Sequence, residues 1–331
     1  MPIISRDQLC ATITAALTAS NTAPAHAGAV ARALTLAEID GKKGHGLSRV
    51  PSYAGQAKSG KVDGHVAPQM SRPKPAVLAI DAGHGFAYPA FELMADELPK
   101  LAAEMGVAMA GVYRSHHYGV AGHHVERAAD QGMVALLFGN TPAAMAPWGG
   151  KTPLMGTNPI AFAAPIAGRP PMVIDLATSK VARGNIMAAH QRGEDIPEGW
   201  ALDQHGAPTT DSGAALNGTM VPLGDAKGAA LALMIEVLAA AVTGAGFGHQ
   251  ASSFFEADGT PPNTGQMMLM IDPGAMAPNF AERLAGLAAL IEGDGARLPG
   301  GGRMAKRAAA DAGIEVNDKA WQAALDLAAG A

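Results

Sequence analysis

The chain has 331 residues, a formal net charge of −5, only 16% charged residues and one cysteine, Cys10. No basic tract is present to follow a phosphodiester backbone, and a lone cysteine excludes both an internal disulfide framework and a thiolate zinc site. The length can bury a large core, and low charge with abundant glycine, alanine and proline points to a packed enzyme or a protein with a large subunit interface. Residues 1–7 lack the basic segment and apolar core of a signal peptide. The apolar stretch 229–241 contains Glu236 and is short for a membrane span, so a soluble cytoplasmic protein with neither nucleic-acid nor membrane partners is expected.

Ser5-Arg6-Asp7-Gln8 has the spacing of a capping box, and Leu9, Ile13, Ala16 and Leu17 recur behind it at helical period. A second helix is expected over 24–38, with Pro24 tolerated in its first turn. This hairpin delivers the chain to Gly44-His45-Gly46-Leu47-Ser48-Arg49-Val50-Pro51-Ser52-Tyr53. A helical turn after His45 would put His45, Arg49 and Tyr53 on one face. A titratable proton donor, a fixed cation able to grip a carboxylate, and a phenol would then converge on one small anionic substrate. The plain alternative is a surface histidine in a glycine-rich turn before a helix start.

Residues 58–64 read as a turn, and 76–81 as a short buried strand. Helix over 89–104, strand over 107–112, helix over 120–131 and strand over 134–138 follow. That alternation predicts an α/β core with ligands at the strand ends. Residues 139–158 form a loop too long for a passive link. Strands resume at 160–163 and 172–175, and after the polar stretch 191–218 a strong helix is expected over 226–243. A strand at 267–271 is followed by mostly helical sequence from 280, including 320–327.

Several loops could hold ligands. His116-His117 precedes Gly119 and Gly122 near a helix start, where free amides could hold a cofactor phosphate; tight turn packing is the alternative. Adjacent histidines project differently on any regular element and no carboxylate set accompanies them, so no metal site is expected. Thr157, in Met155-Gly156-Thr157-Asn158-Pro159, could bind a substrate carboxylate or cofactor amide. Asp175, in Asp175-Leu176-Ala177-Thr178-Ser179, could orient His45, with turn formation and helix capping as the alternatives. Gly224-Asp225-Ala226-Lys227-Gly228 could wrap a pyrophosphate without P-loop spacing, and Arg297 and Arg303 flank a glycine run suited to phosphate. No predicted strand is followed by GxGxxG, so an ordinary Rossmann arrangement is not expected.

Together these motifs resemble the malate/L-lactate dehydrogenase-like family of NAD(P)-dependent oxidoreductases over nearly the whole chain. The resemblance implies an α/β fold of the L-sulfolactate dehydrogenase-like type, with mixed sheets, flanking helices and no Rossmann domain. It also implies a homodimer. The approximate parts are 1–75 (N-terminal helices and substrate segment), 76–115 with 260–331 (mixed α/β, substrate side) and 116–259 (cofactor-binding). In that pattern His45 is the acid/base paired with Asp175. Arg49 binds the substrate carboxylate, with Tyr53 and Thr157 beside the substrate. The implied cofactor set is His117, Tyr118, Gly119, Gly122, Thr178, Ser179, Lys227, Gly228 and Arg303, with NADPH preferred and NADH accepted. The family often carries serine where this chain has Gly44, which removes a hydroxyl relay. Arg114-Ser115-His116-His117 and the loop reaching Thr157 are most similar to the cyclic imino-acid reductases, which reduce Δ1-piperideine-2-carboxylate or Δ1-pyrroline-2-carboxylate. Reversible reduction of a 2-oxo acid is the alternative within the family, and a non-catalytic metabolite-binding protein the alternative outside it.

Overall fold

The computed structural model describes residues 1–330. After the two-residue strand Ile3–Ile4 (β1), helix α1 (Arg6–Thr18) starts where the Ser5 hydroxyl accepts from the Gln8 amide at 3.2 Å. Its buried face is Leu9, Ile13, Ala16 and Leu17, the residues the period picks out. Burying the three larger ones contributes about 2 kcal/mol each. Helix α2 (Pro24–Ile39) packs against α1, and α3 (Val50–Ser59) follows two short 3-10 turns.

A seven-stranded sheet then builds the centre. Its strands are β2 (Gln69–Lys74), β3 (Val77–Asp81), β4 (Val107–Ser115), β5 (Val134–Gly139), β6 (Ile160–Ile166), β7 (Arg169–Leu176) and the late strand β11 (Thr264–Ile271), in the order β2-β3-β4-β11-β5-β6-β7. Only β3 and β4 run parallel. Antiparallel pairing through most of the sheet separates this fold from the doubly wound parallel sheet of a Rossmann domain. Strand β2 was not expected. It lies at an edge, all six residues are exposed and it contains Pro73, so it shows no apolar alternation, and its proline and charges discourage further pairing.

Helices α4 (Ala87–Met105) and α5 (Ala121–Ala129) cover one face through Phe91, Met94, Leu98 and Val125, packed on Ile80, Val112, Leu137 and Met268. The opposite face meets helix α8 (Ala226–Glu236) and its π-helical continuation Val237–Ala241. There a Cβ on Gly265 would stand 1.9 Å from the Ala239 carbonyl oxygen, so β11 approaches this helix only as glycine. The stretch between β7 and α8 holds α6 (Arg183–Arg192), β8 (Ala201–Leu202), β9 (Pro208–Thr209), α7 (Ser212–Asn217) and β10 (Thr219–Met220). Its small core of Ile186, Ile196, Ala201 and Met220 closes on Met145 and Met155 of the long loop.

Helices α9 (Phe280–Gly293) and α10 (Gly302–Ala309), strand β12 (Ile314–Glu315) and α11 (Asp318–Ala328) finish the chain. Strand β12 pairs with β1, and α11 packs on α1 and α3, burying Trp321 and Ala324, so the termini share one helical layer. Among the described residues no helix is long and apolar enough to cross a membrane. One sheet takes β3 and β4 from 76–115 and β5 to β7 from 116–259, so the expected part boundary at 115/116 falls inside a continuous layer. The ends of β4, β5 and β7 and the starts of β6 and β11 lie at one edge of that layer, which places the predicted loops together.

Candidate active site

The segment at residues 43–49 is two 3-10 turns, Lys43–His45 and Leu47–Arg49, held from below by Glu38. Glu38 Oε1 accepts from the Leu47 amide at 3.0 Å, and Lys43 Nζ lies 2.7 Å from Oε2. A Cβ on Gly46 would come within 2.7 Å of the Glu38 side chain, so glycine lets the turn sit on its anchor. Arg49 is buried and its Nε donates to the Gly44 carbonyl at 2.7 Å. The Phe255 ring lies 4.4 Å from the centre of the guanidinium. Nη1 is buried with no partner among the described residues, a cationic edge left for an anion. A side chain at Gly44 would meet nothing within 4 Å.

Tyr53 lies one α-helical turn on from Arg49, but it is not placed as a substrate ligand. The register breaks earlier, between His45 and Arg49, where two 3-10 turns meet at Gly46, so the three residues do not share one α-helical face. Tyr53 is fully buried, and its hydroxyl bonds His117 Nδ1 at 2.5 Å and Tyr88 Oη at 3.2 Å. Burial pushes its phenol up to about 12, so it remains protonated and fixes the His117 ring. His117 in turn faces His45, ring centres 5.2 Å apart, and packs against Phe254 at 5.2 Å. Gln56 Nε2 donates to the Glu256 carbonyl at 3.0 Å, which leaves its Oε1 to accept from His116 Nε2 at 2.7 Å.

Burial, helped by the Arg49 charge, lowers the pKa of His45 to about 4 and of His116 to about 3, and holds His117 well below 6.5. All three rings are therefore neutral near pH 7. The other charges acting on His45 are Lys42 and His123, and no carboxylate is among them. Asp175 correspondingly does not pair with His45. Its Oδ2 accepts from the Gly122 amide at 2.9 Å, so a carboxylate of β7 occupies the amide at the start of α5 where a cofactor phosphate was expected. Desolvation pushes the Asp175 carboxyl up, the Gly122 hydrogen bond opposing it.

The remaining predicted residues divide between ligand-facing and structural positions. The Tyr118 side chain is core: buried and stacked on Phe91 at 5.5 Å, it lies where a Cβ on Gly139 would be 2.2 Å from its hydroxyl. It can meet a cofactor only through its backbone. Gly119 has φ +76°, and a Cβ there would stand 2.8 Å from Tyr88 Oη. The Thr157 carbonyl accepts from both the amide and hydroxyl of Thr178, at 2.9 and 3.0 Å, and Ser179 Oγ donates to Val181 at 2.7 Å. Thr178 and Ser179 thus spend their hydroxyls on the backbone, whereas that of Thr157 has no recorded partner among the described residues.

The Leu223 amide donates to Thr178, joining this segment to the turn before α8. There Gly224 has φ +63°, no side chain caps the helix start, and Lys227 is exposed. Gly228 is held to glycine by the Leu223 carbonyl, 1.9 Å from where a Cβ would fall. Uncapped amides beside a free ammonium suit a cofactor phosphate. Arg303 does not supply that charge: Nε donates to Glu126 at 2.7 Å, Nη2 to the Pro171 carbonyl at 2.8 Å and Nη1 to the Gly300 carbonyl at 2.6 Å. It belongs to a part-buried network in which Arg307 bridges Glu126 and Asp40, and Asp40 also meets His123 Nε2 at 2.9 Å.

A family model for malate/L-lactate dehydrogenase matches residues 4–324. The chain belongs to that family. It is an NAD(P)-dependent oxidoreductase with the mixed-sheet fold of its relatives. The chain is 54% identical over 280 residues to (2R)-3-sulfolactate dehydrogenase (NADP(+)) of Chromohalobacter salexigens, covering 84% of this chain and 83% of that protein. It is 40% identical over 288 residues to Δ1-pyrroline-2-carboxylate reductase of Ancylobacter novellus, covering 86% and 84%. The crystal structure of Δ1-piperideine-2-carboxylate reductase from Pseudomonas syringae pvar. tomato superposes with a TM-score of 0.94 at 36% identity, over 99% of this chain and 100% of that one.

Several residues that shape this family site escaped the motif reading. Lys61, Gln56, Phe254 and Phe255 lie outside any pattern, although two adjacent phenylalanines in a Pro/Gly-rich loop are a signal of packing over something. Glu236 left a signal: a lone acid in an apolar helix requires buried donors, and it finds Asn140 Nδ2 at 3.1 Å, Asn158 Nδ2 at 2.7 Å and the Gly248 amide at 2.6 Å. This knot fixes the loop that carries Thr157.

Proposed function

We propose that this oxidoreductase reduces a cyclic 2-imino carboxylate, Δ1-piperideine-2-carboxylate or Δ1-pyrroline-2-carboxylate, to L-pipecolate or L-proline, with NADPH preferred. The observation that carries the reading is a buried cation facing neutral histidines. Arg49 grips the carboxylate with its free edge, and neutral His45 accepts the N–H of the protonated imine. His117, locked by Tyr53, and Phe254 line the same space and exclude water. Bound reduced nicotinamide supplies the hydride. A protonated imine already carries its proton, so a histidine with pKa about 4 is no obstacle. Reduction of a ketone instead needs an acid for the developing alkoxide, and this His45 is protonated in only about one molecule in a thousand near pH 7. Substrate carboxylate bound to Arg49 would raise that fraction.

The second reading, a 2-oxo acid substrate such as 3-sulfopyruvate, is favoured by the 54% identity to a sulfolactate dehydrogenase. A panel of both cyclic imines, 3-sulfopyruvate, pyruvate and oxaloacetate with each reduced cofactor separates the two. Oxo-acid turnover without imine turnover refutes the first.

For the cofactor, Lys227 and the uncapped α8 turn hold phosphate, and the NADPH preference follows the NADP(+)-linked relative. Asp175 serves by fixing the start of α5 through Gly122. Two copies pair through the apolar face of α8 and its continuation, where Leu233, Met234, Val237 and Val242 are exposed, a large patch for a free surface. Sedimentation equilibrium distinguishes this dimer from a monomer.

A further inference from the structure

Residues 252–260 form a strap that lays Phe255 on Arg49, and α3 together with Lys61 just beyond its end holds the strap down. Lys61, 2% exposed, donates its ammonium to three strap carbonyls: Ser253 at 2.8 Å, Glu256 at 3.0 Å and Asp258 at 3.1 Å. Ser59 Oγ donates to the Ala257 carbonyl at 2.7 Å, and Gln56 Nε2 to that of Glu256. Ser252 Oγ closes the strap on the Thr260 carbonyl at 2.6 Å. A Cβ on Gly55 would stand 3.0 Å from Ala257 Cβ, so α3 and the strap touch without a spacer.

The strap carries two rings with different surroundings. Phe254 is buried, with ring centres 5.3 Å from His116 and 5.2 Å from His117. Phe255 lies on Arg49 but is 45% exposed, so much of the ring surface is open. The Phe255 face and the Gly44 carbonyl together confine the guanidinium, which leaves its unpartnered Nη1 edge for a carboxylate.

We infer that Phe255 is a specificity-determining residue that selects carboxylates bearing a ring, and that Lys61 is the positioning residue that holds it there by clamping the strap. This rests on the reading of Arg49 as the carboxylate grip. A planar ring whose carboxylate sits on Arg49 gains contact with Phe255 and Phe254 that a compact carboxylate does not. Aromatic contact of that kind is worth about tenfold in affinity.

The test is calorimetric binding of two probes to the full-length protein: furan-2-carboxylate, which has the ring, and acetate, which has only the head group. Wild type should prefer furan-2-carboxylate by about tenfold or more. Lys61→Met and Phe255→Ala should each remove most of that preference, and Lys61→Arg should restore part of it. Were Lys61 merely structural, Lys61→Met would lower the melting temperature and leave the ratio at its wild-type value. That result, or an unchanged ratio in Phe255→Ala, overturns the proposal. Phe255 is partly exposed, so its variant decides the matter even if Lys61→Met fails to fold. Arg49→Met provides the separation from the functional reading. If it binds both anions as wild type does, the Arg49 reading fails and the strap proposal with it. If Arg49 is required and the ratio is unmoved, only the strap proposal fails.

Discussion

Acid should destabilise this protein earlier than its carboxylates alone would. Burial lowers His45 and His124 to about 4 and His116 to about 3. Each folded-state pKa is depressed, so between 6.5 and that value the unfolded chain binds a proton the folded chain refuses. Stability is then full above 6.5, falls as pH falls, and levels once the folded pKa is passed. For a group displaced from 6.5 to about 4, lowering the pH from 7 to 5 costs about 2 kcal/mol. Three such groups together cost roughly 5 to 6 kcal/mol, on the order of the lower end of a domain's total stability. Asp175, whose carboxyl is pushed up, acts in the opposite sense, and Asp40, held down to about 2 against the desolvation it suffers by bonds to His123 and Arg307, contributes only below this window. Urea unfolding at pH 7, 6 and 5 measures the slope. His124 lies against Phe91, ring centres 4.0 Å apart, with Nε2 2.8 Å from the Tyr118 carbonyl, which makes it a control outside the active site. His124→Gln keeps a donor and should reduce the pH-dependent loss by about 2 kcal/mol. Stability that is flat from pH 7 to 5, or a slope His124→Gln leaves unchanged, would refute the reasoning.

Arg49→Lys exchanges a fork for a point charge and gives up the bond to the Gly44 carbonyl; KM for the carboxylate substrate should rise about 10- to 100-fold, with smaller loss in kcat, in steady-state kinetics. Glu236→Ala strands three buried donors, so chemical denaturation should show a loss of about 3 kcal/mol or more. Lys227→Ala should weaken cofactor binding, read by nicotinamide fluorescence titration, while furan-2-carboxylate affinity holds; an effect confined to the anion would contradict the phosphate assignment of the α8 turn.

Where local sequence carries both partners of an interaction, the fold was legible. The Ser5–Gln8 cap and the Leu9, Ile13, Ala16, Leu17 stripe lie within one helix, and the structure reproduces them. Strand β11 was visible as an apolar run, but its place between β4 and β5 depends on pairing across more than a hundred residues, which no period encodes. The site divides in the same way. His45 and Arg49 sit a few residues apart in a segment anchored by Glu38, whereas Tyr53 was misplaced because its hydroxyl is taken by His117 and Tyr88, which come from other elements. Asp175 was picked out by its motif and the family pattern, and Arg303 by the glycine run beside it. Their partners, the Gly122 amide and Glu126, come from another element and were decided by tertiary packing.

The central claim is that neutral His45 serves a substrate that brings its own proton. The most direct measurement is kcat of His45→Ala near pH 7 with Δ1-piperideine-2-carboxylate and with 3-sulfopyruvate, at saturating cofactor and after folding is verified. The account predicts a substantial loss on the imine that stays below about 10^2, and a loss on any turned-over oxo acid within the roughly 10^2 to 10^4 of a missing general acid. Equal losses on both substrates, or wild-type kcat on both, would contradict it.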